Sequence, residues 1–266
     1  MADAVLSIQG VQRDFFSRGR LVEALGGVDL EIAEGEFLTI VGPSGCGKST
    51  LLNLVSGLMP TTGGRVLYRG AEVRGVNTEI GYVTQQDNLF PWRTLRENVA
   101  FPLEVQRVPP EERRRRADAM IAKVGLGNFE EHYPYELSGG MRQRANIIRT
   151  LIYDPQLILM DEPFGPLDAQ TRVILQDQLL RLWLESRKTV VFITHDLVEA
   201  IALADRVAVM TARPGVIKSV NAVAIPRPRD IFHIHDNEVF RRLYDKLWEE
   251  LEVEVRRGSG GWLEAS

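Results

Sequence analysis

The chain has 266 residues, room for one large domain or two small ones at ~150 residues per domain, and enough length to bury a core. Lys plus Arg number 32 against 36 Asp plus Glu, a net charge of −4, with 44% hydrophobic and 26% charged residues; this excludes a disordered chain and argues against a protein that mainly coats nucleic acid. The single cysteine, Cys46, excludes an internal disulfide and a multi-thiolate zinc site, and no secretory signal or run of ~18 apolar residues is present, so the chain is expected in the cytoplasm.

The first chemical signal is the segment EGEFLTIVGPSGCGKSTLLNLVSGL. An apolar, β-prone run to Val41 is followed by a glycine-rich turn and then by Leu51, Leu52 and Val55 at helical spacing. Gly42-Pro43-Ser44-Gly45-Cys46-Gly47-Lys48-Ser49, with Thr50 after it, fits the phosphate-loop pattern G-x-x-x-x-G-K-[ST] between strand and helix, the context that motif requires. Glycines let successive backbone N–H groups turn toward phosphate oxygens, and the helix start adds partial positive charge. Lys48 is expected at the β- and γ-phosphates of a nucleotide, and the Ser49 hydroxyl on Mg²⁺. The helix dipole at Cys46 favours a lowered thiol pKa, although a small filler is the plainer role for this residue.

From about residue 87 to 155 the character changes. Pro109-Pro110 before EERRRRADAMIAKVG reads as a helix start, with Ala117, Met120, Ile121 and Val124 on one face and Gly125 at the end; a second helix is expected from Gly140 to about Tyr153. The run Arg113 to Arg116, flanked by Glu111, Glu112 and Asp118, reads as a solvated helix face. This stretch is expected to be a helical insertion in a sheet domain.

Leu157-Ile158-Leu159-Met160 then ends in Asp161-Glu162, and the run 189 to 194 ends in His195-Asp196. Apolar strands alternating with helices imply a parallel sheet covered on both faces. Asp161 suits the Mg²⁺ shell, and Glu162 suits polarisation of an attacking water, a general-base role worth ~10²- to 10⁴-fold. Beyond a break at PRPRD, residues 226 to 230, the side chains of Phe240, Leu243, Tyr244, Leu247, Trp248 and Leu251 form one apolar helical stripe, and the end RRGSGGWLEAS reads as a flexible tail.

Leu137-Ser138-Gly139-Gly140-Met141-Arg142-Gln143 opens the second helix of the insertion, so Ser138, Gly139 and Gly140 form a second anion-binding helix start. With LSGGMRQR, GPSGCGKST and LILMDEPFGPLD in this order, residues 5 to 225 resemble the ATP-binding-cassette ATPases. The resemblance implies an α/β fold: a P-loop hydrolase with a mostly parallel sheet, an N-terminal antiparallel β portion and an inserted helical subdomain. It implies an ATP-binding domain over 1–230, with 231–266 as C-terminal helix and tail. It also implies a head-to-tail dimer in which the phosphate loop of one copy and the LSGG element of the other enclose ATP. By the same resemblance Phe15, or neighbouring Phe16, stacks on adenine; Gln85, with Gln86 beside it, senses Mg²⁺ and the attacking water; Asp168 communicates across the dimer; and His195 contacts the γ-phosphate. Pro166 departs from the family, whose members usually carry alanine there.

FPWRTLRENVAFPLE, EPFGPLDAQTR and THDLVEAI are most similar to the group of bacterial importers for nitrate, sulfonate, taurine and bicarbonate. This resemblance implies an ATPase peripheral to the cytoplasmic face of the membrane. Its implied partners are a second ATPase subunit, taken as a second copy of the chain, a transmembrane permease and, indirectly, a solute-binding protein. Phe90, Pro91 and Trp92 are candidates for the permease contact, against a purely structural role for Trp92 in the insertion. A cassette ATPase acting on nucleic acid or ribosomes is the alternative, and no nucleic-acid partner is expected.

Overall fold

The structure is a computed structural model and describes residues 4–17 and 19–258. The strands in chain order are β1 (Ala4–Ser17), β2 (Arg20–Ala33), β3 (Phe37–Val41), β4 (Gly63–Tyr68), β5 (Ala71–Glu72), β6 (Ile80–Val83), β7 (Leu157–Asp161), β8 (Thr189–Ile193), β9 (Arg206–Met210) and β10 (Ile217–Ala222). The helices are α1 (Lys48–Val55), α2 (Leu95–Val105), α3 (Pro110–Lys123), α4 (Gly139–Leu151), α5 (Ala169–Ser186), α6 (Leu197–Leu203) and α7 (Glu238–Gly258). The chain divides into two compact units, Met1–Thr78 with Arg187–Ser266, and Glu79–Ser186.

The first unit holds an antiparallel sheet in the order β2-β1-β4-β5. β1 and β2 form a long hairpin in which Phe15 lies opposite Val22, and Leu6, Ile8, Leu30, Ile32 and Val66 turn their side chains inward. Its other strands are built around β3, which pairs in parallel with β8 on one side and β9 on the other, while β10 returns antiparallel to β9. All five residues of β3 are buried, as a strand covered on both faces requires. Phe37 and Phe192 meet at 5.8 Å between ring centres, and full burial of such side chains contributes ~1.5–3 kcal/mol each. Thus a run of apolar side chains fixes the strand from which the phosphate loop emerges.

The apolar stripe of α7 is narrower than its sequence suggests. Phe240, Leu247 and Leu251 are buried, but Trp248 is half exposed and the charged Glu254 is buried instead. Residues 256–258 complete α7, and the rest of the expected tail, 259–266, lies outside the described residues.

In the second unit β6 pairs in parallel with β7, Tyr82 opposite Leu159. Around them α2, α3 and α4 enclose Leu95, Val99, Leu103, Ala117, Ile121, Ala145 and Ile148, which are fully buried. α2 begins with a capping box: Thr94 accepts the Glu97 N–H while the Glu97 carboxylate accepts the Thr94 N–H. α4 begins at Gly139 and ends at Leu151, two residues short of the expected Tyr153, because Asp154 adopts a left-handed φ of 60° ahead of Pro155. The arginine run is solvated only in part. Arg114 and Arg115 are exposed, whereas Arg113 pairs with Glu104 at 3.6 Å and Arg116 donates to the Ile152 carbonyl at the end of α4.

Candidate functional site

β3 delivers the chain into residues 42–47, and α1 starts at Lys48. Gly47, at φ 107°, is the N-cap; a Cβ there would lie 2.7 Å from Leu25 Cδ2, so both conformation and space demand glycine. No side chain caps α1, which leaves its first N–H groups for the loop or a ligand. The Lys48 ammonium is folded into the loop, donating to the carbonyls of Gly42 at 2.8 Å and Pro43 at 3.0 Å. Ser44, Gly45 and Ser49 are exposed, and Thr50 is half-buried. The arrangement is a backbone cradle with one cation inside and hydroxyls at its rim, which fits a polyphosphate.

Cys46 is buried beneath the cradle, its Sγ 3.9 Å from Lys48 Nζ. Burial pushes its thiol pKa up and outweighs the lowering effect of Lys48, so the dipole-activated thiol that the sequence allowed is not formed; Cys46 is filler. Phe15 is half-buried on β1 with the Arg13 guanidinium 4.8 Å above its ring, while Phe16 is almost fully exposed. His195 is exposed in the turn after β8, where Asp196 caps α6 by accepting the N–H groups of Val198 at 2.8 Å and Glu199 at 3.3 Å.

In the second unit, Ser138 caps α4 by accepting the Met141 N–H at 3.3 Å. Nothing lies within 4 Å of a Cβ built on Gly139, whereas one on Gly140 would lie 2.8 Å from Thr171 Cγ2. A side chain at Gly140 would therefore have to displace Thr171, and Gly139 leaves open approach to the helix start. Gln85, Asp87, Gly139, Arg142, Gln143 and Pro166 line a cavity of about 750 Å³, so the fold brings Gln85 and the LSGG element together.

Asp161 closes β7 and is nearly buried, and its negative charge adds to the burial that raises the Tyr82 phenol pKa. Glu162 sits at a left-handed φ of 44°, a conformation that costs a non-glycine residue free energy. The next turn closes with the Gly165 N–H on the Glu162 carbonyl at 3.1 Å. Asp168 accepts the Thr171 N–H at 3.0 Å, which holds its carboxyl below the usual range and starts α5. Hydroxyl, amide and carboxylate oxygens at Ser49, Gln85 and Asp161 are hard donors of the type Mg²⁺ accepts alongside substrate phosphates.

Sequence reasoning missed the side chains that carry the Gln85 segment. Asn146 donates to the Thr84 carbonyl at 3.2 Å, Arg149 to those of Asp87 at 2.9 Å and Asn88 at 2.8 Å, and Arg142 pairs with the Asp87 carboxylate at 3.0 Å. Their spacing along α4, 142, 146 and 149, is one helical stripe of polar residues, a legible signal. Trp92 is 71% exposed and touches the insertion by one face, its ring centre 5.5 Å from that of Phe90, which meets Phe101 edge to face at 4.8 Å. No helix among the described residues is long and apolar enough to cross a membrane.

The model of the ABC transporter family matches residues 25–165. An ABC transporter ATP-binding protein, MJ0412 of Methanocaldococcus jannaschii, is 48% identical over 92% of both chains. The aliphatic sulfonates import ATP-binding protein SsuB of Bacillus licheniformis is 40% identical over 96% of this chain and 99% of its own. Among solved structures, a dimeric post-hydrolysis state of the ATP-binding cassette MJ0796 with ADP and Pi aligns with a TM-score of 0.74 and 34% identity, covering 83% of this chain and all of that one.

Proposed function

This chain belongs to the ABC transporter family of ATP-binding proteins, and we propose from that membership that it is the ATP-hydrolysing subunit of an importer for a small sulfonate-like solute. One observation carries the reading. The same chain holds a glycine-backed loop with Lys48 folded into it and, at α4, an open helix start at Ser138 and Gly139. Two such anion sites suit one ATP shared by two copies arranged head to tail. Residues 1–230 form the ATP-binding domain in this reading, and 231–266 a C-terminal extension.

Residues 42–50 bind the phosphates, with Lys48 as the charge on the β- and γ-groups, and Phe15 carries the adenine. Ser49, Asp161 and Gln85 would hold Mg²⁺, which would supply neutralisation of phosphate charge. Glu162 accepts a proton from the attacking water, and His195 hydrogen-bonds the γ-phosphate. Ser138, Gly139 and Gly140 of the partner complete the pocket, and Asp168 relays closure between the copies.

The membrane partner is a permease, loaded by a solute-binding protein, which places the subunit at the cytoplasmic membrane face. Exposed Trp92 belongs to that contact. Alanine at Trp92 should leave ATPase activity intact and impair transport in the reconstituted complex; unchanged transport removes it from the contact. Specific ATPase activity should rise with protein concentration as dimers form. Undiminished turnover by demonstrably monomeric protein would falsify the shared pocket.

A further inference from the structure

In the first unit the phosphate loop is backed by the turn between β9 and β10, residues 211–216, and by the end of α7. The packing is close: a Cβ on Gly215 would lie 2.1 Å from the Cys46 carbonyl oxygen, and one on Gly42 would lie 3.0 Å from Met210 Cβ. The turn is also pinned to β2, the Gly215 N–H donating to Ala24 at 2.9 Å and its carbonyl accepting from Gly26 at 3.1 Å. From this turn Arg213 reaches the loop, its Nη2 donating to the Gly45 carbonyl at 2.9 Å.

α7 holds the other side. Glu254, 1% exposed, accepts the Ala212 N–H at 3.1 Å, Lys218 Nζ at 2.7 Å and Arg257 Nη1 at 3.4 Å. Burial alone would raise its pKa; the bonds from Lys218 and Ala212 prevail and hold it below the usual range, so it is a carboxylate at neutral pH. Gly258, at the end of α7, completes the contact, its built Cβ lying 3.8 Å from Pro43 Cβ.

The C=O and N–H of a planar trans peptide point in opposite directions. A guanidinium on the Gly45 carbonyl therefore turns the Cys46 N–H inward, where it meets the Pro43 carbonyl at 3.3 Å. Gly45 and Gly47 give this loop access to other backbone states. Apparent affinity falls with the fraction of molecules in the binding-competent state, so a contact worth little to global stability can still set ligand affinity.

We propose that Arg213, held in place through Glu254 of α7, is a positioning residue for ATP binding: it fixes the Gly45–Cys46 peptide, whose N–H closes the loop on the Pro43 carbonyl, and so holds the loop in its binding-competent form, and the C-terminal helix thereby sets ATP affinity. This rests on reading residues 42–49 as the ATP site. Arg213 acts on the loop backbone, not on the nucleotide.

The test is calorimetric titration of the full chain with MgATP, together with KM and kcat. Lys48→Ala comes first: if it binds ATP as tightly as the wild type, the reading of the loop fails and the proposal with it. With binding lost in that control, Arg213→Ala should raise Kd and KM about 3- to 10-fold with kcat within about twofold. Arg213→Lys, which keeps a donor, should recover most of the affinity. Glu254→Gln should shift KM in the same direction and add little to Arg213→Ala in the double variant. Unchanged Kd in Arg213→Ala, a loss confined to kcat, or full additivity in the double variant overturns the proposal.

Discussion

At the start of α1 the N-cap is a left-handed glycine, no side chain offers an oxygen, and a lysine ammonium is folded between two carbonyls; at the start of α4 a serine hydroxyl supplies the cap and the adjoining Gly139 faces open space. The first helix start is wrapped by its own chain. The second satisfies one of its N–H groups internally and leaves the rest at the surface. A wrapped helix start with an internal charge can grip phosphate alone, whereas an open one adds to a phosphate already held elsewhere. Within the proposed function, the contrast suits binding mainly by the loop and completion of the pocket mainly by LSGG.

Three substitutions strain that contrast, in descending order of effect. Glu162→Gln removes the proposed base and neither helix start. Hydrolysis should fall about 10²- to 10⁴-fold while MgATP titration stays near normal; near-normal turnover would remove Glu162 from the role. Lys48→Ala empties the wrapped start of its charge, and both ATP binding and turnover should drop about 10²- to 10³-fold, the scale of losing one preorganised donor. Retained affinity would take the ATP site away from residues 42–49. Gly139→Leu puts a side chain at a position where a built Cβ meets nothing within 4 Å. Its melting temperature and monomer ATP affinity should hold while turnover falls about 10- to 100-fold from misplacement at the pocket. If affinity falls equally in the monomer, the two starts do not divide the work as described.

Much of the candidate site's local structure was legible because its signals are local. The strand before the phosphate loop, the glycines within it, the lysine after it and the serine before Gly139-Gly140 are fixed by neighbours a few positions away, where backbone geometry dictates residue type. The limits of α4 were legible to within two residues, since Asp154-Pro155 stops it. Cys46 was read with two possible environments, and burial decided between them; a helix dipole is visible in sequence, desolvation is not. Asp168 and Asp196 were read for function and strand position, yet each also caps a helix. The polar stripe of α4 was present in the sequence, but its partners, the carbonyls of 84 to 88, became visible only once the strand β6 lay beside that helix.

The amino-acid sequence by itself determined the groups on offer: a glycine-rich loop ahead of a lysine and a helix, an acidic strand end, a second glycine-bearing helix start and their order along the chain, all set by short-range backbone rules. The tertiary structure alone decided how that chemistry is held. Arg213 lies 168 positions from the Gly45 carbonyl it meets, and Glu254 lies 42 from the Ala212 N–H it accepts. No periodicity or motif encodes such pairings, because they arise from the packing of β9, β10 and α7 against one loop, and packing is a property of the folded chain rather than of any segment in it.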